Sequence, residues 1–156
     1  MLSVDIPGFR RLRLRHLVLD YNGTLACDGK LLRGVRPRLR RLSAALRLHV
    51  VTADTFGRTR RELRGLPCRI VILEGTGQDQ AKAAYVRRLG PEGTVCIGNG
   101  RNDRRMLRLA ALGIAVLQRE GAAAKTLAAA DAVACSAADA LDLLLRPLRL
   151  VATLRS

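Results

Sequence analysis

The chain has 156 residues, 49% of them hydrophobic, with 28 Lys and Arg against 13 Asp and Glu, a formal net charge of +15. A chain of that size and hydrophobic share buries a core and is not a disordered segment. Arg interrupts every apolar run before the roughly 18–20 residues needed to cross a bilayer, and the N-terminal MLSVDIPGFRRLRLR lacks a signal-peptide layout, so one cytoplasmic domain over residues 1–156 is expected.

The first apolar run, HLVLD at 16–20, reads as a buried strand and delivers Asp20-Tyr21-Asn22-Gly23-Thr24. Residues 25–34 leave room only for a small β-hairpin flap, with Asp28-Gly29 as its turn. A helix is predicted over 36–47, then a strand over 48–53 (LHVVTA) that delivers Thr52-Ala53-Asp54. A helix over 57–64, a strand over 69–73 and a helix over 78–89 follow, the last with Lys82 early in it. The strand at 94–98 (TVCIG) ends on Gly98-Asn99-Gly100-Arg101-Asn102-Asp103. Helices over 102–111, 121–129 and 137–145 alternate with strands over 113–117 and 132–135. Val- and Ile-rich runs without polar alternation are buried on both faces, as in a parallel sheet between two helix layers. Repeated strand–helix alternation therefore predicts an α/β fold with a doubly wound, Rossmann-like parallel sheet. Ligands of such folds bind beyond the carboxyl ends of the strands. There a carboxylate (Asp20), a hydroxyl (Thr52), an amine (Lys82) and a second carboxylate (Asp103) converge on one edge. Any one alone could be a helix cap; four on one edge mark a site.

Cys27, Cys68, Cys96 and Cys135 are far apart, with no CxxC pair and no clustered His, which argues against zinc. Cys68, Cys96 and Cys135 lie in or beside apolar runs and read as small hydrophobes. All but three basic residues are Arg, the exceptions being Lys30, Lys82 and Lys125. Such a balance can mark an acidic partner or nucleic acid. Phe9, Tyr21, Phe56 and Tyr85 are the only aromatics, too few for a base-stacking platform, which argues against nucleic acid as the main partner.

The sequence DYNGTL after a hydrophobic strand resembles the first motif of haloacid dehalogenase-like enzymes. Thr52 is similar to the Ser/Thr of their second motif, Lys82 to the basic third, and the 98–103 segment to the acidic fourth; the match spans about 14–145. A narrower likeness is to the phosphorylated domain of P-type ATPases, whose signatures are mirrored here by DYNGT, TAD and GNGRND. Membrane helices, nucleotide domain and actuator domain have no counterpart, so the chain looks like a soluble, stand-alone relative. The resemblance implies that Asp20 accepts a phosphoryl group. It implies Mg²⁺ held by Asp20, the backbone carbonyl of Asn22, Asn99 and Asp103, and a phosphate cradle of Gly23, Thr52, Ala53 and Lys82.

Two positions depart from that pattern. Asn22 stands where family phosphatases carry a second Asp, and an amide cannot shuttle a proton, a role commonly worth about 10²–10⁴-fold. Asn99 replaces the first acid of the fourth motif, so one negative charge is lost. Asp54 is read as a helix N-cap or a substrate contact. No cap domain fits between the motifs, so the edge is open; the substrate is then a macromolecule, or a second copy supplies the wall through a flap that includes Cys27 and Lys30. Arg58, Arg60, Arg61, Arg101, Arg104 and Arg105 would form a cationic collar for phosphate esters. The expected function is a slow Mg²⁺-dependent phosphohydrolase or phosphotransferase acting on a phosphorylated substrate. The alternative is a degenerate phosphate-binding or regulatory module.

Overall fold

A computed structural model describes residues 1–156. Ahead of the first anticipated strand the chain forms an antiparallel hairpin, β1 (Leu2–Ile6) and β2 (Arg10–Leu14). Along LSVDI, and along RRLRL from Arg11 onward, the pattern alternates, so Val4, Ile6, Leu12 and Leu14 turn inward while the intervening Arg and Asp face water.

The main sheet begins with β3 (His16–Leu19), which is followed by the flap strands β4 (Ala26–Cys27) and β5 (Lys30–Leu31). Asp28 and Gly29 join them with φ of 51° and 75°, the left-handed pair that a tight two-residue hairpin requires. Then come α1 (Val35–Leu42), β6 (Arg47–Thr52), α2 (Thr59–Glu62), β7 (Cys68–Ile72) and α3 (Gln78–Leu89). The second half holds β8 (Thr94–Gly98), α4 (Arg104–Leu109), β9 (Leu112–Val116), α5 (Ala124–Leu127), β10 (Ala132–Ala134), α6 (Ala137–Leu145) and α7 (Pro147–Leu154). Six strands pair in parallel in the order β10-β9-β8-β3-β6-β7. This is the expected α/β, doubly wound sheet without a cap domain.

Several helices are shorter than the periodicity predicts. The one expected over 57–64 reduces to four residues, with Leu63 as its C-cap. The one expected over 102–111 opens with a 3₁₀ turn, Arg101–Asp103, before α4. The one expected over 121–129 keeps only α5, and α1 stops at Leu42, where the expectation ran on to 47. α7 and the N-terminal hairpin were not anticipated.

The pleat of the sheet sorts the core into two layers. Leu17, Leu19, Val50, Val95, Ile97, Ile114 and Val116 face a large cluster that includes α1, α6, α7 and the hairpin. Val18, Val51, Cys96 and Ala115 face a smaller cluster with Tyr85, Val86, Met106 and Leu107 from α3 and α4. Cys96 is fully buried there and acts as the small hydrophobe expected of it. α1 is fastened to α6 by a two-pronged ion pair, both guanidinium contacts from Arg38 to Asp142 being 2.9 Å.

Candidate active site

After β3 the chain runs outward to β6 and β7, then returns to β8, β9 and β10 on the other side of β3. The carboxyl ends of β3 and β8 therefore frame the switch point where such sheets bind ligands. Leu19 pairs with Ile97 and with Val50, and the Asp20 amide donates to the Ile97 carbonyl at 3.0 Å. This register puts Asp20, Gly98 and Thr52 at one edge of three adjacent strands.

Lys82 is the hub. It lies one turn into α3 with its side chain fully buried, and its ammonium donates to Asp20 Oδ1 at 2.6 Å and to Asp103 Oδ1 at 2.7 Å. The other Asp103 oxygen accepts the backbone N–H groups of Asn99 (2.9 Å) and Gly100 (2.8 Å) and so folds the loop after β8. A Cβ at Gly98 would stand 2.6 Å from that of Asp103, which accounts for glycine there. Two carboxylates and one ammonium leave a surplus negative charge in a dry place. Burial, then repulsion from Asp103, pushes the Asp20 carboxyl up to about 6, against the pull of Lys82 and Thr24. Burial works against the Lys82 charge, but Asp20 and Asp103 outweigh it and raise its pKa, so it stays an ammonium.

The Thr24 hydroxyl lies 3.0 Å from both Asp20 Oδ2 and Asn99 Oδ1. It has one proton for two acceptors, so the three oxygens are together short of hydrogen. The Asn22 side-chain oxygen is buried without any partner. Gly23 sits at φ 77°, and any Cβ there would collide with the Asn99 amide. Gln118, just after β9, donates to the Gly23 (3.0 Å) and Thr24 (2.6 Å) carbonyls and accepts the Ala137 N–H. Thr24 and Gln118 were not assigned roles from the sequence; both stand where strand-end reasoning looks, Thr24 within DYNGT and Gln118 after the fifth apolar run.

Thr52, only 1% exposed, accepts the Asp54 N–H at 3.0 Å. Asp54, at φ 52°, accepts the Arg58 N–H, the Thr59 N–H and the Thr59 hydroxyl through one oxygen. Asp54 therefore fastens the start of α2 without being its N-cap, one of its two expected roles; that position is held by Arg58, four residues on. Ala53 lies in the same turn. The arginine collar divides: Arg101, Arg104 and Arg105 line one cavity with 75–79, whereas Arg58, Arg60 and Arg61 do not. The flap is held to its own chain by Tyr21 OH to the Gly29 carbonyl, by Glu62 on the Leu31 N–H and by Glu120 on the Asp28 N–H. Its Lys30 is exposed. Beneath the flap a cavity of about 480 Å³, touching Gly23, Cys27 and Gln118, opens to solvent. No helix is long and apolar enough to cross a membrane.

No family model matches the chain. Among curated proteins, Uncharacterized protein MJ0073 of Methanocaldococcus jannaschii is 51% identical over 61 residues, covering 39% of this chain and 66% of that protein, just under two thirds of its length. Uncharacterized protein MJ0072 of the same organism is 44% identical over 39 residues, 25% of this chain and 89% of that protein. Among solved structures, the 3-deoxy-D-manno-octulosonate 8-phosphate phosphatase of Moraxella catarrhalis, in complex with magnesium, phosphate and KDO, superposes with a TM-score of 0.72 at 17% identity, covering 90% of each chain. The cobalt-bound deoxy-D-mannose-octulosonate 8-phosphate phosphatase of Haemophilus influenzae gives 0.72 at 16% identity, over 92% of this chain and 94% of that one. A haloacid dehalogenase superfamily (subfamily III A) hydrolase of Legionella pneumophila gives 0.72 at 17%, over 90% and 87%. The chain thus belongs to one sequence family with MJ0072, and it carries the capless fold of haloacid dehalogenase-superfamily hydrolases.

Proposed function

We propose that the chain is a Mg²⁺-dependent phosphohydrolase or phosphotransferase that passes through an aspartyl-phosphate on Asp20 and releases it slowly. The observation that carries this reading is the buried Asp20–Lys82–Asp103 constellation at the switch point of the sheet. Structural neighbours with the same fold act on a phosphorylated sugar acid and hold magnesium or cobalt.

Lys82 keeps the Asp20 carboxyl oriented and favours its ionised form. An Asp20 oxygen attacks phosphorus in line; its new O–P bond forms as the bond to the leaving oxygen breaks, and that oxygen departs with the pair of electrons. The Thr52 hydroxyl oxygen already accepts from Asp54, so its proton is free to donate to a phosphoryl oxygen. Ala53, Gly23 and Lys82 complete the cradle. Asp20, the Asn22 carbonyl, Asn99 and Asp103 offer the hard oxygens that Mg²⁺ prefers, and the hydrogen-poor cluster around Thr24 and the surplus charge of the site fit a cation. When bound, the ion would offset the repulsion between these carboxylates and an incoming phosphate. Asp103 spends both oxygens within the chain, so its larger part is to aim Lys82 and the loop after β8.

Nothing at position 22 can shuttle a proton to a leaving group or from water, so the phosphoenzyme should outlive that of an acid-bearing phosphatase. Asn22→Asp is expected to speed single-turnover decay roughly 10-fold or more with an activated aryl phosphate and Mg²⁺, while Asp20→Asn forms no phosphoenzyme. Equal decay in wild type and Asn22→Asp would remove position 22 as the limit. The second reading, a phosphate-binding or regulatory module, is favoured by the two amides at 22 and 99. Absence of phosphoenzyme in both proteins would select it. The homo-oligomer belongs with the proposal: a second copy would wall the open edge, against the resistance of the net charge.

A further inference from the structure

A cavity of about 550 Å³ adjoins the Lys82–Asp103 pair, and none of its nine lining residues has an apolar side chain other than the methyl of Thr76. One wall is the loop before α3 with Gln78 at its edge; Lys82 lies four residues on, one helical turn of about 5.4 Å away and on the same face. The facing wall is Arg101, Asn102, Arg104 and Arg105, which bracket Asp103 in the chain. The Asn102 amide donates to the Gln78 side-chain oxygen at 3.0 Å and joins the two walls.

The charges in this cavity do not balance. Asp79 is its sole carboxylate, and Arg105 already holds it at 2.7 Å. Arg101 and Arg104 make no ion pair and no side-chain hydrogen bond with the rest of the chain. The opposite wall adds donors: no backbone N–H from 74 through 80 donates to another residue, and Gly75 and Gly77, at φ 73° and 74°, have open space where a Cβ would point. Two free guanidiniums facing a run of free amides form a receptor for a compact, multiply charged oxyanion.

We propose that this cavity holds a second phosphate of the substrate, so that the preferred substrate class is a small bisphosphate, with one phosphate at Asp20 and the other between Arg101 and Arg104. The proposal rests on the phosphotransfer reading of Asp20, and it explains how a site with no cap domain selects its substrate. The cavity walls adjoin Asp103 in the chain and lie one helical turn from Lys82, a placement that suits a low-molecular-weight ester.

The test compares alkanediol monophosphates with the matching bisphosphates, from three to six carbons, as substrates with Mg²⁺. At least one bisphosphate should exceed its monophosphate in kcat/KM by about 10-fold, through KM, since a doubly charged guanidinium clamp acts on binding. In Arg101→Ala/Arg104→Ala that ratio should fall to about one, whatever happens to the absolute rates; both side chains are exposed, so the fold does not depend on them. Calorimetric titration with the same bisphosphates gives a readout independent of turnover and should show the double variant binding about 10-fold more weakly. Turnover with equal kcat/KM for mono- and bisphosphates at every length would overturn the cavity's role and leave the phosphotransfer reading intact. No turnover, but arginine-dependent bisphosphate binding, would do the reverse. A 5′-phosphorylated oligonucleotide preferred over every bisphosphate would overturn the small-substrate class in favour of nucleic acid.

Discussion

Lys82 is one of three lysines in a chain of arginines, and its compact ammonium on a flexible stem reaches two carboxylates at once where a planar guanidinium would need more room. Its replacement leaves two buried carboxylates facing each other. Lys82→Met should cost about 4 kcal/mol of stability as well as activity. Pairing it with Asp20→Asn relieves part of that repulsion, so the double mutant should be more stable than the sum of the singles by over ~1 kcal/mol in urea melts; strict additivity would count against a coupled triad. At the other end of the sheet, His49 lies between His16 (3.1 Å) and the Tyr85 hydroxyl (2.9 Å). Burial, then the charges of His16, Arg69 and Arg47, lowers its pKa to about 4, and burial with Arg47 and Arg15 lowers that of His16. The folded chain keeps His49 neutral while the unfolded chain protonates it near 6.5, so this contribution is full above pH 6.5 and fades as pH falls toward 4. Between pH 7.5 and 4.5, wild type should lose about 2 kcal/mol more than His49→Gln, measured by denaturant midpoints. Equal losses would show that His49 is not the group responsible.

At the level of elements, the strands of the main sheet were legible because parallel strands are continuous apolar runs, and each structural strand lies within about one residue of the run that announced it. The site was legible for the same reason: chemistry sits at strand ends, and the strand ends were readable. What escaped detection has weaker signals. The hairpin β1–β2 alternates with period two, but its exposed positions are mostly arginine and each strand turns only two or three apolar side chains inward, a weak apolar signal. α7 follows α6 after the single residue Arg146 and opens on Pro147, a break at which the expected helix over 137–145 stops. Helices were overextended wherever Ala-rich or Arg-rich sequence has helical propensity but no neighbour to pack against. Both missed elements close the large core cluster, and Leu150 of α7 is completely buried in it. Leu150→Ala should therefore cost about 3 kcal/mol, as a cavity in a packed core does, with the strand-end site around Asp20 unaltered. A loss under ~0.5 kcal/mol would mean that α7 contributes little to the core.

Taken whole, the molecule balances its packing against its charge. The core is sorted cleanly into two layers, but a net charge of +15 acts on the surface of both, and the folded state holds those charges closer together than the unfolded one. Few are neutralised: among the arginine pairs, the Arg38–Asp142 clamp is the one with both side chains largely buried. Screening should therefore stabilise the protein. Raising NaCl from 20 to 300 mM should lift Tm by about 3 °C, on the order of 1 kcal/mol. A flat or falling Tm would mean that the arginines are already compensated by local contacts.

The strand order has a consequence for how the chain is made. β3 is the centre of the sheet yet leaves the ribosome before any of its partners in that sheet, with Asp20 at its tip. Lys82, Asn99, Asp103 and Gln118 emerge later, roughly 3–20 s of synthesis after Asp20 at ordinary elongation rates. Until β8 and the loop after it arrive, β3 has a neighbour on one side only, and Asp20 lacks Asp103 and the loop that shields it. A nascent or truncated chain ending before Gln118 therefore cannot form the complete site, which waits until the second half of the chain has been made.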